Sequence, residues 1–181
     1  PTVAGIVDEK FSVKLPDTFE KDYRKQLLVN FETDLTLMDG IGNVLDRLNP
    51  PYCLATSSSP ERTEKALRLT DIHERFEGRI FTASEVANGK PAPDLFLHAA
   101  RCMNVPPQRC LVVEDSRVGV QAGLAAGMSV FRFTGGSHLA DLDAESSNNA
   151  GDEVPHFNSF DGFFDLAPDL KAERVAETYG K

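Results

Sequence analysis

The chain has 181 residues, 41% of them apolar, and a formal charge of −9. That length suits one domain, or a core domain with a small appendage, and the composition can bury a real core. The negative balance excludes a general nucleic-acid binder, which needs a basic face. It leaves room for a small anion held by one or two cations and some backbone N–H groups. Cys53, Cys102 and Cys110 are odd in number, with no CxxC pair and no Cys/His cluster. They give neither a disulfide framework nor a zinc site, and Cys53 and Cys110 read as core fillers. No apolar run nears the roughly 18 residues of a membrane span, and no signal-peptide pattern stands at the start. A soluble cytoplasmic protein with no membrane partner is the expectation.

Periodicity predicts helices through residues 1–31. Val3, Ile6, Val7 and Phe11 share one face, and Phe19, Tyr23, Leu27 and Phe31 share another. The stretch from Ser12 to Asp17 reads as a connection ending in a cap. A third helix is predicted from about Asp39 to Leu48. After Asn49-Pro50-Pro51 the texture changes. Tyr52–Ala55 reads as a strand, and Ser59-Pro60 starts a helix that runs to about Leu69. Ile80–Thr82 is a second strand, and a helix over Pro93–Met103 follows the proline-set loop Gly89–Asp94. Cys110–Val113 is a third strand, buried on both faces. A small-residue helix follows over Arg117–Ala126, then a strand over Ser129–Phe133.

Beyond Thr134, Gly135-Gly136, Ser146–Asn149 and Gly151 mark loops around a helix near Asp161–Leu166. The last dozen residues read as a frayed charged tail. Alternating strands and helices predict an α/β fold, a parallel sheet with helices on both faces. The expected units are a helical appendage over 1–36, an α/β core over 37–168 and a tail over 169–181.

Polar groups gather where three of these strands end, and ligands of open α/β sheets bind outside the carboxyl ends of strands. Thr56, Ser57 and Ser58 offer hydroxyls and N–H groups to a phosphoryl oxygen, though such clusters also serve simply as caps. Lys90 sits in the rigid loop, where an ammonium would neutralise anionic charge. Glu114 and Asp115 fit two readings. They can cap the next helix, or they can form an oxygen-rich site for Mg²⁺, which takes one or two carboxylates, waters and a substrate phosphate. Thr134-Gly135-Gly136 reads as an ordinary turn. His73, His98, His138 and His156 are scattered without metal-ligand spacing and read as structural or solvent-facing.

The order of these blocks carries a resemblance. Leu54-Ala55-Thr56-Ser57-Ser58, then Gly89-Lys90-Pro91-Ala92-Pro93-Asp94-Leu95-Phe96, then Val112-Val113-Glu114-Asp115-Ser116 with Gly119, Ala122 and Gly123, resemble the haloacid dehalogenase superfamily. The likeness is to its capped phosphatase and β-phosphoglucomutase-like branch, and it covers most of the chain. It implies a Rossmann-like core with a helical cap, residues 1 to about 35 being the later part of that cap. By the same resemblance Thr56 is the phosphate-binding hydroxyl and Ser57 supplies a backbone donor. Lys90 balances charge on the nucleophile and the phosphoryl group. Asp115 is implied as the Mg²⁺ ligand, with Glu114 binding directly or through water.

One family motif has no counterpart. The resemblance implies an Asp-x-Asp-x-Thr/Val block at the end of a first core strand, its first Asp the nucleophile and its second the general acid/base. Asp34-Leu35-Thr36 and Asp39-Gly40 echo it with no strand before them, and Asp141-Leu142-Asp143 falls after the last core strand. In the family's sheet that first strand is central, between the strands that carry Thr56 and Asp115. Without it two strand groups present bare edges with unpaired backbone groups. The expectation is a segment absent from these 181 residues and an open slot beside the Val112 strand.

The function implied is a Mg²⁺-dependent phosphatase acting on a small phosphorylated metabolite through an aspartyl-phosphate. A phosphosugar mutase of the β-phosphoglucomutase type is the alternative. Lys10, Lys14, Lys21, Arg24 and Lys25 on the cap read as a solvated face, which favours the phosphatase. A metal-free dehalogenase leaves the Glu114-Asp115 pair unexplained. If 181 residues are the whole product, the chain is a non-catalytic interaction fragment, and a mass at or above 19.8 kDa separates the cases. The substrate and the oligomeric state are not encoded in any motif.

Overall fold

The computed structural model describes residues 3–136 and 154–172. Its elements run α1 (Val3–Phe11), α2 (Phe19–Asp34), α3 (Ile41–Arg47), β1 (Leu54–Thr56), α4 (Pro60–Leu69), β2 (Ile80–Thr82) and α5 (Asp94–Cys102). Then come β3 (Leu111–Glu114), α6 (Arg117–Ala125), β4 (Ser129–Phe133), β5 (His156–Phe157) and α7 (Phe163–Leu166). The strands are parallel and fall into two groups. β1 pairs with β2 in the register Leu54–Ile80 to Thr56–Thr82. β3, β4 and β5 pair in that order, with Glu114 opposite Arg132. Among the described residues no strand joins β1 to β3, so the sheet is split where a central strand was expected to be missing.

Two helices straddle the split, one on each face. α5 packs Leu95 and Ala99 with Phe81 of the β1–β2 half, and Phe96 and Ala100 with Val112 and Val130 of the other half. Leu95 is fully buried. On the opposite face α3 does the same with adjacent residues. Its Val44 joins Phe133 and Phe157, and its Leu45 joins Leu67 and Phe76. Neighbouring helical positions point about 100° apart, so one short helix can serve two half-cores. The alternation along β3 follows the same geometry, Val112 facing α5 and α6 while Leu111 faces α3 and α7.

α4 and α6 start as the sequence predicts, because each has a serine ready to accept an otherwise unpaired N–H. Ser59 accepts from the Arg62 N–H at 3.4 Å, with Pro60 in the first turn, and Ser116 accepts from the Gly119 N–H at 3.1 Å. α1 and α2 differ from the rest. Nothing on α2 is buried, Phe11 and Tyr23 are exposed, and the expected cap lysines and arginine are exposed too. α2 touches the core through α4, where Lys65 pairs with Glu32 at 2.6 Å.

Several sequence expectations change. β3 is not buried on both faces: Val113 is 40% exposed, because no strand covers the edge of β3 that faces the split. β5 was not predicted. Its two residues are too few for a periodic signal, and it exists only by pairing with β4. The stretch Thr134–Gly136 is a close crossing of backbones and not a turn. The Thr134 N–H donates to the Phe157 carbonyl at 2.8 Å, and a Cβ on Gly135 would overlap the Asn158 carbonyl.

The helix expected at Asp161–Leu166 is a 3-10 turn over Phe160–Gly162 followed by α7. The expected tail is attached at its start. The Asn49 N–H bonds the Leu170 carbonyl at 2.9 Å, and the Ala172 N–H bonds the Arg47 carbonyl at 2.7 Å. His138, Asp141–Asp143, Ser146–Asn149, Gly151 and residues 173–181 lie outside the described residues.

Candidate active site

The site forms where β1 and β3 end on either side of the split. Thr56 is the last residue of β1, and its Oγ1 accepts the Ser58 N–H at 3.1 Å. Ser57 is exposed, and the Ser58 hydroxyl accepts a hydrogen bond from the Arg62 guanidinium. Thr56, Ser57 and Ser58 therefore share one tight loop between β1 and α4.

Lys90 arrives from the loop between β2 and α5. That loop is closed by Asp94, whose Oδ2 accepts from the Asn88 N–H at 3.2 Å and the Asn88 side chain at 2.9 Å. The Ala92 N–H bonds the Gly89 carbonyl at 3.0 Å. So held, the lysine is 9% exposed and crosses the split. Its Nζ donates to Glu114 Oε1 and lies 3.5 Å from the Ala55 carbonyl, with the Phe96 ring centroid 4.7 Å away. The aromatic face adds attraction to a cation already removed from water.

Glu114, the last residue of β3, is equally buried at 9%. One oxygen serves Lys90, and the other accepts from the Ser116 hydroxyl at 2.9 Å and the Ser116 N–H at 3.3 Å. A buried ion pair persists only where further hydrogen bonds complete it, and Ser116 supplies them. Gly119 completes the fit, since a Cβ there would overlap the Glu114 carboxylate. The Ser116 and Gly119 roles were missed by sequence reasoning, although the spacing Ser-x-x-Gly directly after the acids was a readable signal. Arg62 was missed as well, because nothing in its own motif marks it. Asp115, half-buried, follows Glu114 in the loop that enters α6.

No group of three or more His, Cys, Asp or Glu suited to a metal occurs among the described residues. Two adjacent carboxylates fit Mg²⁺, which needs only one or two and takes its other ligands from water and phosphate. They do not fit a closed zinc cage. Glu114 is engaged by Lys90 and Ser116.

His98 stands apart on α5. Its ring meets Phe81 edge-on at 5.6 Å and its Nε2 lies 3.2 Å from Glu85. The Thr82 N–H donates to Glu85 at 2.5 Å and, as the largest cause, holds that carboxyl below the usual range. This group closes a turn after β2.

A hydroxyl loop, a buried lysine and a carboxylate pair thus gather at the carboxyl ends of parallel strands, the edge at which open α/β sheets bind ligands. Residues 5–127 match the haloacid dehalogenase-like hydrolase family, and the chain belongs to it. It is 30% identical to 6-phosphogluconate phosphatase of Escherichia coli (strain K12), over 75% of this chain and 62% of that protein. It is 33% identical to β-phosphoglucomutase of Bacillus subtilis (strain 168), over 75% of this chain and 60% of that protein. The chain thus spans about three fifths of the length of these curated relatives. Among solved structures, a conserved haloacid dehalogenase-like protein of unknown function from Agrobacterium tumefaciens str. C58 superposes with a TM-score of 0.75 at 30% identity. That match covers 91% of this chain and 75% of the other.

Proposed function

We propose that the protein is a Mg²⁺-dependent phosphatase that acts in the cytoplasm on a small phosphorylated, sugar-like metabolite. The observation that carries this reading is Lys90, a buried ammonium that spans the split from Ala55 to Glu114. Such a group neutralises charge on a phosphoryl oxygen without reorganising, and phosphoryl transfer depends mainly on positioning and electrostatics. Thr56, with Ser57 and Ser58 beside it, orients the phosphoryl group from the opposite side. Glu114 keeps Lys90 aimed, and Ser116 keeps Glu114 in place. Asp115, with Glu114, would hold Mg²⁺, which when bound supplies Lewis-acid neutralisation of the phosphoryl oxygens.

The nucleophile in this proposal is a carboxylate on a strand that fills the slot between β1 and β3. The strand edges left unpaired on both sides among the described residues and the exposed Val113 support that strand. Its carboxylate attacks phosphorus and breaks the ester P–O bond, giving an aspartyl-phosphate and the alcohol, which takes its proton from the second Asp of the implied motif. Water then attacks phosphorus, gives its proton back to that Asp and frees phosphate and the carboxylate, splitting one hard step into two easier ones. Residues 1–36 form part of a helical cap over this edge, and residues 37–168 form the core. The similarity to 6-phosphogluconate phosphatase supports hydrolysis of a sugar-like phosphate. The similarity to β-phosphoglucomutase supports a second reading, in which the phosphoryl group returns to the sugar.

Turnover of the full-length protein across a panel of sugar phosphates decides between them. Free phosphate that disappears on chelation of Mg²⁺ is expected. Isomerised sugar phosphate without net phosphate release would establish the mutase, and full activity in chelator would remove the metal from the proposal.

A further inference from the structure

Arg62 is the least explained cation near the site. α4 carries three other positions that set the contrast. Lys65 pairs with Glu32 at 2.6 Å, Arg68 pairs with Glu64 at 2.8 Å, and Glu61 is exposed. Arg62 is half-buried and has no carboxylate partner among the described residues, in a chain of net charge −9. Its guanidinium instead donates to the hydroxyl of Ser58, whose own N–H is bonded to Thr56 Oγ1 at 3.1 Å. One serine therefore separates this guanidinium from the proposed phosphate hydroxyl. A guanidinium uses at most a fraction of its five donors on one hydroxyl, so most of its fork stays available. That planar fork matches a carboxylate or phosphate through two parallel hydrogen bonds.

The phosphoryl group that reacts already has a cation. Lys90 lies deeper, at 9% exposure, and is fixed to the ends of both half-sheets. Arg62 stands farther out, on the α4 side of the Thr56–Ser58 loop. We infer that Arg62, steadied by Ser58, binds a second oxyanion on the substrate, a carboxylate or a phosphate on the end that does not react. This inference rests on the phosphatase reading and deepens it, because it makes a doubly anionic metabolite the preferred class. Arg62 then contributes to substrate affinity and leaves the chemical step alone, which is uniform binding and is read in KM.

The test compares three probes on full-length wild type, Arg62→Gln and Arg62→Lys: 6-phosphogluconate, sorbitol 6-phosphate and fructose 1,6-bisphosphate. Arg62→Gln is expected to raise KM about tenfold or more for a doubly anionic probe. Any loss on sorbitol 6-phosphate should be several-fold smaller than on that probe, and KM should move more than kcat. Loss on 6-phosphogluconate alone assigns a carboxylate, and loss on the bisphosphate alone assigns a phosphate. Arg62→Lys should recover part of the loss as a point charge. Equal losses on all three probes, or none, would overturn the inference, as would a wild type with no preference for a second charge.

Calorimetric binding of the same probes keeps the two proposals separable. If wild type turns over none of them, the phosphatase reading fails on its own. A preference for doubly anionic probes that Arg62→Gln abolishes would still support the role of Arg62, and an unchanged preference would end it. An unaltered melting temperature in Arg62→Gln confirms that the fold is intact.

Discussion

The two halves of the sheet do different work. The β1–β2 half ends in hydroxyls and cations, Thr56, Ser58, Arg62 and Lys90, whereas the β3–β4–β5 half ends in carboxylates, Glu114 and Asp115. Among the described residues neither half is bonded to the other through its strands. Packing by α5 and α3 and the Lys90–Glu114 ion pair join them. The difference teaches where an anion can sit. A donor edge and an acceptor edge face each other across a gap, and a phosphoryl oxygen with its counter-ion needs both.

The sharpest way to break this relation is at the ion pair. Lys90→Met should cost about 3–5 kcal/mol, since it leaves Glu114 charged and buried without its partner. Lys90→Met combined with Glu114→Leu should recover much of that stability while abolishing phosphoryl chemistry. Urea denaturation of the two variants measures the first claim, and turnover measures the second. If the double variant is no more stable than the single one, the pair is not what joins the halves.

Next in size is the packing that straddles the split. Leu95→Ala should cost about 2–5 kcal/mol, because the side chain is wholly buried on α5 and its loss leaves a cavity. A lowered melting temperature with KM unchanged would show that α5 joins the halves without shaping the binding edge.

The thiols give a milder comparison, one in each half. Cys53, beside the Phe81 cluster, has its pKa pushed up to about 11, chiefly by burial and next by Cys110. Burial pushes the Cys110 thiol up as well. A raised thiol pKa means the folded chain keeps a proton that the unfolded chain releases. Its stabilisation is therefore full below about pH 9 and fades as pH rises toward about 11. Stability measured from pH 8 to 11 should fall, and Cys53→Ala should flatten that slope. In alkylation at pH 8, exposed Cys102 should react first and Cys53 last.

The smallest effect is expected outside both halves. Lys65→Ala removes the ion pair between α2 and α4, an exposed pair worth about 0–1 kcal/mol. Thermal unfolding should barely change. A large loss would mean that the helical pair is held far more firmly than its unburied α2 suggests.

Much of the fold was legible because its signals are local. Ser59-Pro60 starts α4 and Ser116 starts α6 wherever the chain sits, because a cap needs only its own turn. The short runs at β1, β2 and β3 were readable from their apolar character and polar ends. β5 and the close passage at Gly135 were not, since two residues carry no period and a crossing is made by another segment. The site divides the same way. Thr56, Lys90, Glu114 and Asp115 could be picked out by type and place at strand ends. That Glu114 spends its carboxylate on Lys90 could not, because that contact joins residues 24 apart in sequence.

By itself, then, the sequence determined the alternation of strand and helix, the caps, and the family whose motifs it carries. The split in the sheet was expected from the absent motif, but tertiary structure alone decided that Lys90 bridges it. It also decided that Arg62 is a cation without a carboxylate partner among the described residues. The physical reason is range. Caps and hydrophobic periods act within a few residues, whereas burial and charge pairing depend on which distant segments are folded side by side.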